Sequence, residues 1–252
     1  MSEGRLEGRL AIVTGGARGI GAAHVRALAG EGAHVLIGDL LEEEGRALAQ
    51  ELGEQRVRFR TLDVASEQHW EEAVRAAEDP AWGPGVVTIL VNNAGVMEPA
   101  PIAEMTPAAW RRTIEINLTG HFLGIRAVVA SMRRAGGGAI VNTSSVTSQI
   151  AVGQLAHYTA SKHAIAGLTK AAALELGADG IRVNSLHPGM IRSAMTAGAP
   201  EQKIAGGFPI ARFGEPEEVA AMMLHIVCEA SYASGCGFPI DGGMLAGIPF
   251  EG

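Results

Sequence analysis

The chain has 252 residues, 47% of them hydrophobic and 19% charged, with a formal net charge of −7. That length suffices for one large α/β domain with a full core, and an acidic balance without any basic block argues against nucleic acid as a partner. Only two cysteines occur, at no metal-ligand spacing, residues 1–9 lack an apolar signal core, and no apolar run is long enough to span a membrane, so a cytoplasmic protein with reduced thiols is expected.

In chain order, short apolar runs alternate with helical patterns. Strands are expected at 9–14, 33–39, 57–62, 86–92, 138–144, 181–187 and 236–240, and helices at 19–31, 41–53, 67–78, 106–134, 155–177 and 215–229. This alternation predicts a parallel sheet with helices on both faces. The strands read as continuous apolar runs, as expected where both faces are covered. Pro239 in the last run places that strand at an edge, because proline cannot donate to a ladder. Neither an internal repeat nor a low-complexity linker occurs, which favours one domain over residues 1–252.

The first strand leads into Thr14-Gly15-Gly16-Ala17-Arg18-Gly19-Ile20-Gly21 and then a helical pattern. A strand, a glycine-rich turn and a helix N-terminus together form an anion site, since unpaired N–H groups and the helix dipole point at it. Glycines let a pyrophosphate approach the backbone. The spacing Gly15, Gly19, Gly21 is wider than the common dinucleotide fingerprint. Asp39 closes the second strand, placed to accept from an adenosine ribose 2′-OH and to repel a 2′-phosphate. Arg18 is discordant with that preference, but Leu40 offers no second cation.

Further on, Ser145 ends an apolar run, and Tyr158 and Lys162 stand four apart in a helical stretch. At that spacing the phenol and the ammonium share a helix face. A free tyrosine titrates near about 10, and lowering it by two or three units takes roughly 3–4 kcal/mol, much of which a nearby ammonium can supply in a dry site.

Taken with Asp63-Val64, Asn92-Asn93-Ala94-Gly95, Asn117, Pro188-Gly189 and Asp241-Gly242-Gly243, these segments resemble the short-chain dehydrogenase/reductase family over nearly the whole chain. Within it the chain looks most like the NAD-dependent hydroxysteroid and secondary-alcohol dehydrogenases, from His187-Pro188-Gly189-Met190 followed by Ser193-Ala194-Met195-Thr196. The resemblance implies a single-domain, doubly wound Rossmann-type fold of about seven parallel strands, with a substrate lid around 190–213. It also implies a homotetramer paired through the helices 106–134 and 155–177. Tyr158 would be the acid/base, Ser145 a donor to the substrate oxygen, and Lys162 the group that lowers the tyrosine pKa and binds the nicotinamide ribose. Asn117 would hold a water linking Lys162 to solvent. NAD would be held by Gly15, Arg18, Gly19, Ile20, Gly21, Asp39, Asp63, Val64, Asn93, Ala94, Gly95, Tyr158, Lys162, Pro188, Gly189 and Ile191.

Substrate walls are expected from Gln149, Leu155, Met190 and Met195 beside Ser145 and Tyr158. The segments 96–99, 146–157 and 190–196 hold only two charged residues, Glu98 and Arg192. A small, apolar alicyclic or steroid-like alcohol or ketone is therefore the expected substrate. Two alternatives are a 3-oxoacyl thioester reductase served by acyl carrier protein and a non-catalytic nucleotide-binding member. The complete Asn117, Ser145, Tyr158 and Lys162 set speaks against the second. His157, His187 and Ser144 are read as packing or backbone-satisfying residues.

Overall fold

Seven strands form one parallel sheet in the order β3-β2-β1-β4-β5-β6-β7. They are β1 Leu10–Thr14, β2 His34–Asp39, β3 Val57–Thr61, β4 Ile89–Asn92, β5 Gly138–Thr143, β6 Ile181–Pro188 and β7 Gly237–Ile240. This is a computed structural model, and it describes residues 4–247. The helices are α1 Gly19–Gly30, α2 Glu42–Leu52, α3 Glu67–Ala77, α4 Pro107–Ile114, α5 Gly120–Arg134, α6 Ala156–Leu176, α7 Glu201–Ala205 and α8 Pro216–Cys228.

Burial explains why these segments are strands. Every residue of β1 and β4 is buried, as are five of the six in β5. Such strands need apolar side chains on both faces, since each face meets a helical layer. One layer packs Leu36, Trp70, Leu90, Val128 and Ile140 together; the other packs Val13, Val25, Ile37, Val141 and Met223. The edges differ. The second half of β3 opens to solvent and β7 alternates between exposed and half-buried residues. Pro239 faces His187 across the last pair, so the proline does lie on an edge strand.

Two elements depart from the sequence reading. The helix expected over 106–134 is interrupted: Glu115–Thr119 forms a π-helical segment between α4 and α5. A π turn holds an extra residue without altering the apolar pattern enough to announce itself. The short α7 lies in the segment expected as a lid, where most residues are exposed and no apolar periodicity marks a helix.

Strand order reverses between β1 and β4, so their carboxyl ends diverge into a crevice. The loops after β1, β2, β4, β5 and β6 all open there.

Candidate active site

The glycine turn after β1 is shaped by contacts that leave no room for side chains. A Cβ on Gly21 would stand 1.9 Å from the Gly15 carbonyl oxygen, and one on Gly15, itself at φ +62°, would meet Ala94 Cα at 2.8 Å. The loop after β4 closes onto this turn. Asn93 Nδ2 donates to the carbonyls of Thr14 and Gly15, both at 3.2 Å, and the amides of Asn93 and Ala94 donate to Thr14 Oγ1. Thus Gly15, Gly19, Ile20, Gly21, Asn93, Ala94 and Gly95 are brought to one place, as expected. Arg18 occupies the N-cap of α1 but caps nothing with its side chain, and it is exposed without an ion-pair partner among the described residues. The first-turn amides of α1 are therefore open to an anion.

Asp39 completes this half. Its Oδ2 accepts from the amide of Ala17 at 2.9 Å, and Oδ1 accepts from Leu40 and Leu41. The carboxylate is locked beside the glycine turn and keeps lone-pair capacity for a further donor. Asp63 and Val64 form the turn after β3: Asp63 Oδ1 accepts from the Ala65 amide at 3.0 Å, and the Val64 carbonyl accepts from Trp70 Nε1. Val64 also lies against Gly120, where a Cβ would meet it at 2.8 Å. The glycine cradle, the uncapped α1 terminus and the placed carboxylate fit a dinucleotide.

The other half gathers around α6. Tyr158 and Lys162 lie one turn apart, both buried, with Lys162 Nζ 5.5 Å from the centre of the tyrosine ring. The ammonium donates to the Thr143 carbonyl at 2.8 Å, at the end of β5. Burial pulls Lys162 down to about 7 and pushes the Tyr158 phenol above its ordinary value, while the neighbouring Ser145 hydroxyl opposes that rise. The ammonium lies over the ring and serves a carbonyl, so burial is the larger influence on the phenol.

Ser145 follows β5. Its backbone is extended, and its Oγ accepts from the Thr147 amide at 3.1 Å, which leaves the hydroxyl proton free to be donated. Asn117 lies in the π segment, fully buried, and its side chain is committed. Oδ1 accepts from the Val96 amide at 2.8 Å, and Nδ2 donates to the Val96 carbonyl at 2.9 Å and to Ser161 Oγ at 3.3 Å. These bonds fix the loop after β4 against α6. Asn117 and Lys162 both face Gly95: a Cβ there would stand 3.4 Å from Asn117 Oδ1 and 3.7 Å from Nζ.

The remaining expected residues fall on two loops. Leu155 is buried at the start of α6, whereas Gln149 is exposed. Pro188 ends β6, and Gly189 packs on the turn at Asp241, where a Cβ would come within 2.9 Å of Asp241 Cα. Ile191 is buried and bridges Gly214, clasping the base of the 190–213 segment. Met190 is half-buried and Met195 is 44% exposed. Ser193 lies over Gly19, within 3.5 Å of where a Cβ would be, so this segment covers the glycine turn. Both charges in the wall segments are neutralised: Glu98 pairs with Arg112, and Arg192 with Glu201 and Glu215. Sequence reasoning missed Ser148, which bonds to His187. The two are 39 residues apart, and only the pairing of β5 with β6 brings them together.

A nucleotide cradle thus opens beside a buried tyrosine, serine and lysine. The model of the short chain dehydrogenase family matches residues 9–204. The chain belongs to that family. A 3-alpha-(or 20-beta)-hydroxysteroid dehydrogenase of Mycobacterium bovis is 45% identical, over 97% of this chain and 92% of its own. The trans-4-hydroxycyclohexanecarboxylate dehydrogenase of Sinomonas cyclohexanicum is 41% identical, over 96% and 95%. A cyclopentanol dehydrogenase of a Comamonas species is 39% identical, over 96% and 99%. Among solved structures, a candidate gluconate dehydrogenase of Agrobacterium tumefaciens superposes with a TM-score of 0.91 at 33% identity, covering 96% of this chain and 98% of that one. This short-chain dehydrogenase is an oxidoreductase that interconverts a secondary alcohol and a ketone, and members of its family use a nicotinamide cofactor. Among the described residues no helix is long and apolar enough to cross a membrane, and no cluster of side chains could hold a metal ion.

Proposed function

We propose that this short-chain dehydrogenase uses NAD(H) to interconvert an apolar alicyclic or steroid-like secondary alcohol with its ketone, with Tyr158 as the acid/base. The observation that carries the substrate class is the exposed apolar side chains on the segments that follow β5 and β6. Ile150, Val152 and Met195 are 40–46% exposed, while the two charges of the wall segments are consumed in ion pairs. A ring system would cover that surface, whereas a charged substrate would lack a free counter-charge. Methionine suits such a wall because its thioether adapts to irregular shapes.

NAD is favoured over NADP by Asp39, whose carboxylate is held beside the glycine turn and would repel a 2′-phosphate. The bound nicotinamide supplies or accepts the hydride. The open amides of α1 hold the pyrophosphate, and the turn at Asp63 and Val64 borders the adenine. Gly95, Pro188, Gly189 and Ile191 line the nicotinamide end. Ser145 donates its free proton to the substrate oxygen, stabilising charge as it develops. Tyr158, protonated in its buried site, delivers its proton to that oxygen in reduction and takes it back in oxidation. Lys162, whose ammonium lies beside the Tyr158 ring, would hold the nicotinamide ribose. Asn117 holds the Val96 loop against α6 so that these groups keep their spacing. Gln149, Leu155, Met190 and Met195 border the substrate, and the segment 190–213 closes over it as a lid. The protein works as one domain, in the cytoplasm, as a homotetramer.

The test is a panel of cyclic ketones, steroid ketones and keto acids reduced with NADH and with NADPH. Steroid and cyclohexanone-type ketones with NADH should give the highest kcat/KM, and Tyr158→Phe should lower kcat by about 1,000-fold or more while NADH affinity stays within about threefold. A keto acid outperforming the neutral rings, or equal use of NADPH, would sink the substrate or the cofactor assignment respectively.

A further inference from the structure

His187, the penultimate residue of β6, is 3% exposed and has a hydroxyl at each ring nitrogen. Ser148 Oγ is 2.6 Å from Nδ1, and Ser185 Oγ is 2.8 Å from Nε2. Counting protons gives the chain a direction. A serine hydroxyl has one proton to donate, and that of Ser148 goes to the Ser145 carbonyl at 2.7 Å. Ser148 Oγ can then only accept from His187, so the ring carries its proton on Nδ1 and receives the Ser185 proton at Nε2, which at 2.8 Å is much nearer than that hydroxyl's other acceptor, the Cys236 carbonyl at 3.5 Å. Burial keeps the imidazole below its ordinary pKa, in agreement with a ring that holds a single proton. Space for it comes from the neighbouring strand, because a Cβ on Gly237 would stand 2.6 Å from His187 Nε2.

The chain ends on the backbone of Ser145, which has two anchors. Its carbonyl accepts from Ser148 Oγ and from the Ser148 amide at 3.0 Å, and its Oγ accepts from the Thr147 amide. All three bonds come from the 3₁₀ turn Val146–Ser148, so the orientation of the Ser145 hydroxyl depends on where that turn is held. The only side chain bonded to Ser148 from outside the turn, among the described residues, is His187.

We propose that His187 is a positioning residue for Ser145: the directed chain Ser185–His187–Ser148 fixes the turn that aims the serine hydroxyl at the substrate oxygen. This rests on the assignment of Ser145 as the donor to that oxygen. The chain also ties the edge strand β7, through the space at Gly237, to the catalytic turn.

Four variants and one double variant test it by steady-state reduction of a cyclic ketone with NADH. Asparagine places an amide nitrogen where Nδ1 stands, and glutamine places one where Nε2 stands. His187→Asn therefore keeps the donor to Ser148, and His187→Gln loses it. His187→Gln and Ser148→Ala should each lower kcat by about 10- to 30-fold with the NADH KM within about twofold, while His187→Asn stays within about threefold of wild type. Placed on Ser145→Ala, His187→Gln should add no further loss, because the chain acts only through that serine. Wild-type kcat in His187→Gln, equal impairment of Asn and Gln, or additive losses in the double variant would each overturn the proposal. Ser148→Ala leaves the ring intact and decides the matter if a ring substitution fails to fold. Full turnover in Ser145→Ala would instead remove the assignment of Ser145 as donor, and the purpose of the chain with it.

Discussion

The two walls of the crevice are built on different principles. The nucleotide wall is backbone against backbone: Gly21 against the Gly15 carbonyl, Gly15 against Ala94, and Asn93 bridging both strands. The opposite wall, the segment 190–213, is held at its base by the Ile191–Gly214 bridge and on its outer side by surface ion pairs of Arg192. Most of its residues are exposed, and such pairs are worth about 1 kcal/mol or less each. A wall of backbone contacts tolerates no substitution, while a wall of exposed apolar side chains can be rebuilt without disturbing the fold.

The largest effect should come from the nucleotide wall. Gly21→Ala forces a methyl group into the Gly15 carbonyl oxygen, so the turn must open and the amides of α1 move off their targets. NADH affinity, measured by quenching of protein fluorescence or by calorimetry, should fall by about 100-fold or more, roughly 3 kcal/mol. Affinity within a factor of about five would mean that this wall is as adaptable as the other.

A second experiment separates rigidity from stability. His24, on the buried face of α1, is fully enclosed with both ring nitrogens unpartnered, and burial pulls it down to about 3. His121 is lowered to about 3 as well, by burial and then by nearby Lys162. The unfolded histidines bind protons near about 6.5. Stability is thus fully present above that value and is lost as the pH falls toward the folded value. His24→Leu should raise stability at pH 7 by about 1–3 kcal/mol. It should also reduce the loss between pH 7 and pH 5 by about 2 kcal/mol, with His121 keeping its share. Denaturant unfolding at the two pH values reads both quantities, and an unchanged acid dependence would contradict the assignment.

The smallest effect belongs to the substrate wall. Met195→Ala should lower kcat/KM for a steroid ketone by about 5- to 10-fold, lower it less for cyclopentanone, and leave the NADH KM unchanged. Loss of NADH binding in this variant would show that the two walls are one structure.

Much of this was legible in the sequence. Strands covered on both faces must be apolar throughout, so β1, β4, β5 and β6 read as runs, and Pro239 marked β7 as an edge. The glycine turn and Asp39 were legible because close backbone approach demands glycine and a carboxylate at a strand end breaks the apolar run, and the structure sets the two side by side. Three features left no local trace. The π segment changes backbone hydrogen bonding rather than side-chain order. Lys162 turns to Thr143 because β5 ends beside α6, a matter of packing that i, i+4 spacing does not contain. His187 reads as a residue before a proline, and its bonds to Ser148 and Ser185 exist only once β6 lies against β5.

The surplus residue between α4 and α5 acts as a phase shift. Each residue of a regular helix advances its neighbours by about 100° around the axis, so α5 is rotated by about that much relative to an unbroken continuation of α4. Asn117 is thereby aimed at Val96 while Gly124, one helix further on, is pressed so closely to Trp70 and Asn92 that a Cβ would come within 2.4 Å of Asn92 Oδ1. Removing Leu118 should therefore give a more orderly helix and a poorer enzyme: the ladder would close, and the angular setting between the Val96 loop and the core would be lost.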